Sequence, residues 1–144
     1  MRTALLEDAE FTILYMHHPM YSDNLRNGEL AEFIRGIYLP IIEETNVDLV
    51  ICGHGHAYER HLVNNRTYLV IGGAGAPLDE VGTSETQIFS VSEHHWLEVN
   101  FSAGYVSCYV HGLSGNLIDS FSIAVVLPVV TEHVAFDYVK ALFK

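Results

Sequence analysis

Val47-Asp48-Leu49-Val50-Ile51-Cys52-Gly53-His54-Gly55-His56-Ala57-Tyr58-Glu59-Arg60 is the stretch on which the reading of this chain turns. A mostly apolar run ends at Gly53, and two imidazoles then follow two positions apart. In an extended chain, residues i and i+2 point to the same face with Cα atoms ~6.5–7 Å apart. That separation lets two rings converge on a pair of metal ions ~3.5–4 Å apart, each bonded at ~2.0–2.1 Å. Gly53 and Gly55 suit a tight turn at the end of a buried strand, where positive φ and the absence of bulk are expected.

Working outward, Phe11-Thr12-Ile13-Leu14-Tyr15-Met16 is a second β-rich apolar run. It delivers His17 and His18 to its C-terminal end, and Pro19 stops the ladder because it lacks an N–H. Strand alternation sends His18 to the opposite face from His17. Tyr21-Ser22-Asp23-Asn24 is turn chemistry. From Glu29 the period changes: Leu30, Phe33, Ile34, Ile37, Tyr38, Ile41 and Ile42 recur at helical steps, with Glu29, Glu32, Glu43 and Glu44 on the wet side. Pro40 is expected to kink or divide this helix, and Asn46 to end it in a left-handed conformation.

Strand, helix, strand predicts a βαβ unit with the two strands parallel and adjacent. Ligands of open α/β sheets collect beyond the carboxyl ends of the strands. Both histidine motifs lie there.

Beyond Arg60 the pattern is all-β. Thr67–Ile71 reads as a strand ending in Gly72-Gly73-Ala74-Gly75. His95–Phe101 and Tyr105–Val110 form a hairpin around Ala103-Gly104, and Leu117–Ile123 is a further strand. Residues 79–92 read as an irregular loop. Thr131–Lys144 has a helical apolar side. The whole chain, 1–144, reads as a single and partial domain, with 124–144 a helical C-terminal extension. The fold class expected is α/β to α+β, a βαβ unit followed by antiparallel strands.

The 144 residues are 49% hydrophobic and only 17% charged, with mean hydropathy +0.20. Either the core is large or an apolar face is covered by something outside this sequence. A net charge of −11 with seven scattered Lys and Arg excludes a phosphate-backbone binder, so no nucleic-acid partner is expected. Acidic proteins accept anionic substrates only where bound cations invert the local field. No signal peptide and no membrane-spanning run is visible, so no membrane partner is expected and the compartment is left unknown. Cys52 and Cys108 have no redox or metal spacing and read as buried thiols.

Other motifs point elsewhere only weakly. The Gly72–Gly75 turn lacks the Lys-Ser/Thr and the helix start of a phosphate loop. No Gly-x-Ser-x-Gly elbow exists, and neither cysteine adjoins a histidine. His61, His94, His95, His111 and His133 read as surface or strand-edge singletons. Glu43-Glu44 and Asp79-Glu80 read as solvated.

Met16-His17-His18-Pro19-Met20-Tyr21-Ser22, a helix, and then the Gly53-His54-Gly55-His56-Ala57-Tyr58-Glu59-Arg60 string resemble the C-terminal half of a calcineurin-like metallophosphoesterase. The His-Ala-Tyr-Glu-Arg ending is most like the purple acid phosphatase branch. Ala76-Pro77-Leu78 and His94-His95-Trp96-Leu97 are similar to prokaryotic-type members. The likeness runs over roughly Leu5 to Ile123. It implies half of a layered β-sandwich flanked by helices, and metal-dependent hydrolysis of phosphomonoesters or phosphodiesters. By the same resemblance His17 and His54 would bind one metal of a binuclear Fe, Zn or Mn centre and His56 the other. His18, Tyr21, Gly53, Tyr58 and Arg60 become candidates to support the ligands or touch substrate. The catalytic acid or base is left unassigned.

The chain departs from the family pattern at one place. It has no Asp-x-His, no Gly-Asp and no Gly-Asn-His, since Gly115-Asn116 is followed by Leu117. Three histidines are too few for two hydrolytic metals, which need about four ligands each. The expectation is therefore an incomplete site, in a fragment of a longer enzyme, a truncated product of a disrupted coding sequence, or a module completed by a partner. The uncovered apolar face is expected to self-associate as a homodimer or to take a complementing N-terminal half. The alternative is a non-catalytic metal-binding or dimerising half-domain.

Overall fold

A computed structural model of the chain describes residues 9–25 and 28–125. Strand β1 (Ile13–Met16) leads through the histidine-proline turn to helix α1 (Gly28–Glu43) and then to β2 (Leu49–Cys52). The two strands run parallel, with Ile13 opposite Leu49 and Met16 opposite Cys52. This is the expected βαβ unit. All four residues of β2 are buried, as an apolar run enclosed on both faces requires.

The chain continues through β3 (Tyr58–Val63), β4 (Arg66–Ile71) and β5 (Gln87–Val91), then β6 (His95–Ser102), β7 (Tyr105–Gly112) and β8 (Leu117–Ala124). One sheet has the order β1-β2-β4-β3-β5 and the second has the order β6-β7-β8. β4 is parallel to β2, while β3 is antiparallel to both β4 and β5.

Two apolar clusters define three layers. On one face of the larger sheet, Val50, Cys52 and Tyr68 pack with Met20, Val47 and Ile42, and with Ile34, Tyr38 and Ile41 of α1. On the other face, Leu49, Ile51, Tyr58 and Leu69 pack against Cys108, Val110, Val99 and Phe121 of the smaller sheet. Burial at ~25 cal/mol per Å² of apolar area makes these two interfaces the main source of stability. Both cysteines are buried and unpaired, as expected, and desolvation pushes the Cys52 thiol up to about 12 and Cys108 to about 11.

Several local expectations need correction. β3 is not among the strands expected from the sequence, and it places the end of the histidine motif inside the larger sheet. It forms a hairpin with β4 across Asn64-Asn65, whose φ values of 50° and 61° suit a two-residue turn. β5 replaces part of the expected 79–92 loop. Pro40 does not divide α1. It lies in the last turn, and its lack of an N–H costs only the bond to Gly36, an exposed residue one turn earlier. Asn46 is not left-handed; instead the N–H and hydroxyl of Thr45 both donate to the Ile42 carbonyl, at 3.2 and 3.1 Å. The expected C-terminal helix lies outside the described residues. No helix among the described residues is long and apolar enough to cross a membrane.

Candidate metal centre

The carboxyl ends of β1 and β2 are tied together directly after the strands finish, where the Gly53 N–H donates to the His17 carbonyl at 3.0 Å. The two histidine turns therefore meet. His17 Nε2 lies 3.2 Å from His54 Nδ1. His18 joins them, its ring centroid 4.7 Å from that of His17 and 4.6 Å from that of His54. Each of the three offers a ring nitrogen within 4.8 Å of the others. Alternation predicted the opposite face for His18, but β1 ends at Met16 and the chain bends at His17 and His18, so strand geometry no longer applies.

The positive φ expected at Gly53 or Gly55 falls instead on His54, at 67°. A non-glycine residue in that region costs on the order of 1 kcal/mol, so the surroundings must hold it. Gly72, at the end of the adjacent parallel strand β4, does this. It lies against the Gly55 carbonyl and the His54 N–H, where any Cβ would overlap backbone. The glycine-rich turn thus packs on the histidine turn.

His56 is not part of the three-ring group. Its Nδ1 lies 3.0 Å from the Pro77 carbonyl, and its backbone N–H donates to Asp79 Oδ2 at 3.0 Å. Asp79 Oδ2 also accepts from Asn24 Nδ2 at 2.7 Å. Asp79, read as a solvated loop carboxylate, is buried, as is Asn24. Nothing local in the sequence marks either residue, because the contacts join turns 23 and 55 positions apart.

Burial holds the His54 ring below the ordinary histidine pKa, and the neighbouring His18, His17 and His56 rings depress it further, against a small opposite effect of Asp79. The His54 ring is thus disposed to stay neutral, with a lone pair available. Three convergent imidazoles suit one ion with an open coordination position. Among the described residues no carboxylate belongs to this group. The donor set fits one ion and falls short of the pair that the family resemblance implies.

The remaining candidates are used elsewhere. Tyr58 is buried and donates its hydroxyl to Asp119 Oδ2 at 2.7 Å; Arg60 Nε donates to the same oxygen at 2.8 Å. These contacts tie the larger sheet to β8. The guanidinium of Arg60 also sits 4.8 Å above the Phe121 ring. Tyr21 packs on Tyr68, with the Arg35 guanidinium 5.0 Å from its ring. Gly53 leaves room beside the His17 ring.

A second group of possible donors comprises Asp23, Glu59 and His61. Glu59 is buried and accepts from Ser22 Oγ at 2.7 Å, the Asp23 N–H at 2.5 Å and His61 Nε2 at 3.3 Å. His61 is buried, not a surface singleton, with Thr86 Oγ1 3.0 Å from its Nδ1. His95 is likewise buried, its Nδ1 donating to the Glu93 carbonyl at 2.8 Å and its ring filling the space that Gly73 leaves free. Ala57-Tyr58-Glu59 is buried throughout, so this part of the motif builds the scaffold beneath the histidines.

No protein-family model matches the chain. Among curated proteins, a soybean (Glycine max) purple acid phosphatase is 34% identical over 74 residues, which is 51% of this chain and 16% of that protein. The Arabidopsis thaliana Fe(3+)-Zn(2+) purple acid phosphatase 12 is 31% identical over the same length and 16% of its own. The chain spans less than one fifth of these relatives. Among solved structures, the purple acid phosphatase PPD1 of yellow lupin (Lupinus luteus) superposes with TM-score 0.75 over 85% of this chain and 27% of that one, at 21% identity. GAP50 of Plasmodium, described as the anchor in the inner membrane complex, gives 0.76 over 86% and 39%, at 20% identity. The chain is thus similar in sequence, over about half of its residues, to purple acid phosphatases, and it shares their fold over most of its length.

Proposed function

We propose that this chain provides the histidine-bearing part of a metal-dependent phosphoester hydrolase. The observation that carries the reading is the convergence of His17, His18 and His54 where β1 and β2 end side by side. His17 and His54 would hold one ion, with His18 a third donor or a contact to substrate. His56, with Nδ1 engaged by Pro77, would turn Nε2 toward the second position of a two-ion site. A bound Fe, Zn or Mn ion supplies Lewis-acid polarisation of a phosphoryl oxygen. The low proton affinity of His54 keeps a ring lone pair available near neutral pH. Arg60, engaged by Asp119, is not spare to clamp a phosphate.

The carboxylates missing from the group are proposed to come from another polypeptide segment, either a second copy or a complementing N-terminal half. In support, β1 is, among the described residues, an edge strand with an unpaired side. Tyr15, at 71% exposure, and Phe33, at 64%, leave apolar surface uncovered. Sedimentation as a dimer or larger species is expected; a monomer that binds no hydrophobic dye would contradict an uncovered face.

The experiment is hydrolysis of an aryl phosphate by the full chain supplied with Zn2+, Fe3+ or Mn2+. Turnover that disappears in His54→Ala supports the hydrolase. Binding of one ion without turnover above buffer supports the second reading, a non-catalytic metal-binding or dimerising half-domain. The incomplete donor set favours that reading for the chain alone.

A further inference from the structure

We infer that the Pro77–Asp79 segment, secured by Asn24, is a brace that sets the tautomer and position of His56, and that Asp79 is a positioning residue for the metal centre. The inference rests on the metal-site reading above and adds a residue to it.

Three hydrogen bonds join this short segment to His56 alone. A carbonyl oxygen can only accept, so the 3.0 Å contact between His56 Nδ1 and the Pro77 carbonyl requires the proton on Nδ1. The Nε2 lone pair is then left for a ligand. Histidine ligands are commonly oriented in this way, the second ring nitrogen donating to a carbonyl or carboxylate. Two further bonds fix the backbone from which the ring projects. The His56 N–H donates to Asp79 Oδ2, and the Asp79 N–H donates to the His56 carbonyl, each at 3.0 Å.

Asp79 is itself held from a third direction. Asn24 donates its amide to the same Oδ2 at 2.7 Å, and both side chains are buried. Asn24 also pairs as an isolated bridge with Val81, so the turn after β1 is bound at Asp79 and again two residues beyond it. The turn carrying His17 and His18, the turn carrying His54 and His56, and the loop that follows β4 are thereby linked through one carboxylate. A buried carboxylate receiving two donors is a rigid reference point, since releasing either leaves charge unsolvated.

The test uses the full 144-residue chain, Co2+ as probe and 15N NMR of the histidine rings. The metal-free wild-type spectrum is expected to show His56 protonated at Nδ1. Asp79→Ala is expected to shift His56 toward a mixture of tautomers and to weaken Co2+ binding roughly 10–100-fold. Asp79→Asn, which keeps an acceptor oxygen, is expected to recover part of that loss. Asn24→Ala gives a weaker version of the same change and serves where Asp79→Ala does not fold. An Nε2–H tautomer in the wild type, or a folded Asp79→Ala with wild-type affinity and tautomer, would overturn the brace. Failure of the wild type to bind Co2+ at all would sink the metal-site reading instead, and the tautomer measurement would still decide the brace.

Discussion

Gly72 lies directly against the carbonyl of Gly55, with no room between them for even a methyl group. The contact joins the end of β4 to the turn between His54 and His56, and it backs the left-handed conformation of His54. Gly72→Ala must therefore displace backbone, not a yielding side chain. We predict a loss of about 2–4 kcal/mol in chemical denaturation, together with weaker metal binding. An alanine variant as stable as the wild type would show that the histidine turn is not held from this side.

Asp119 is the joint between the two sheets at the level of the motif. It accepts from Tyr58 and Arg60, and the tyrosine hydroxyl is held above its ordinary pKa first by burial and then by that bond. Asp119→Ala would leave a buried hydroxyl and a half-buried guanidinium without their acceptor. The expected cost is about 2–4 kcal/mol, measured by urea denaturation, with the histidine cluster still able to bind metal. Loss of metal binding at full stability would mean that Tyr58 and Arg60 act at the site.

Burial lowers the pKa of His95, outweighing the bond to the Glu93 carbonyl, and its Nε2 is buried with no hydrogen-bond partner among the described residues. The sign follows from the folded value lying below the unfolded value of about 6.5. Below that pH the unfolded chain binds more protons, so stability falls as pH drops from about 6.5 toward the folded pKa. Above it His95 contributes no pH dependence. Denaturation midpoints between pH 7.5 and 5 should fall more steeply for the wild type than for His95→Gln. Parallel profiles would remove His95 as a source of acid sensitivity.

The two thiols offer a simple check on the core. Cys52 sits under α1 and Cys108 between the sheets, and both are raised well above the usual thiol range by burial. Neither should react with a thiol reagent at pH 8 in the folded chain, and both should react in denaturant. Fast labelling of the native protein would mean that one of the two layers is open.

The parts of this architecture legible in the sequence are those where local pattern and burial agree. The apolar runs of β1 and β2 flank an amphipathic helix, so their parallel pairing and the meeting of His17 with His54 could be read directly. β3 could not, because its burial of Glu59 and His61 depends on Ser22, Asp23 and Thr86, which lie far away in the chain. The Asn64-Asn65 turn was the available signal, and it suits a two-residue hairpin. His18 was assigned by strand alternation at a point where the strand had already ended. Asp79 looked like a solvated loop residue because its partners, His56 and Asn24, are brought to it only by the packing of three strand ends.

The three imidazoles at the ends of β1 and β2 are proposed to form a metal site. Metal content and affinity of the purified chain, by Zn2+ titration of wild type and His54→Ala, test it most directly. Saturable binding of at least one ion per chain is expected in the wild type, and its loss in His54→Ala, with the variant still folded. Absence of binding, or equal binding by the variant, would contradict it.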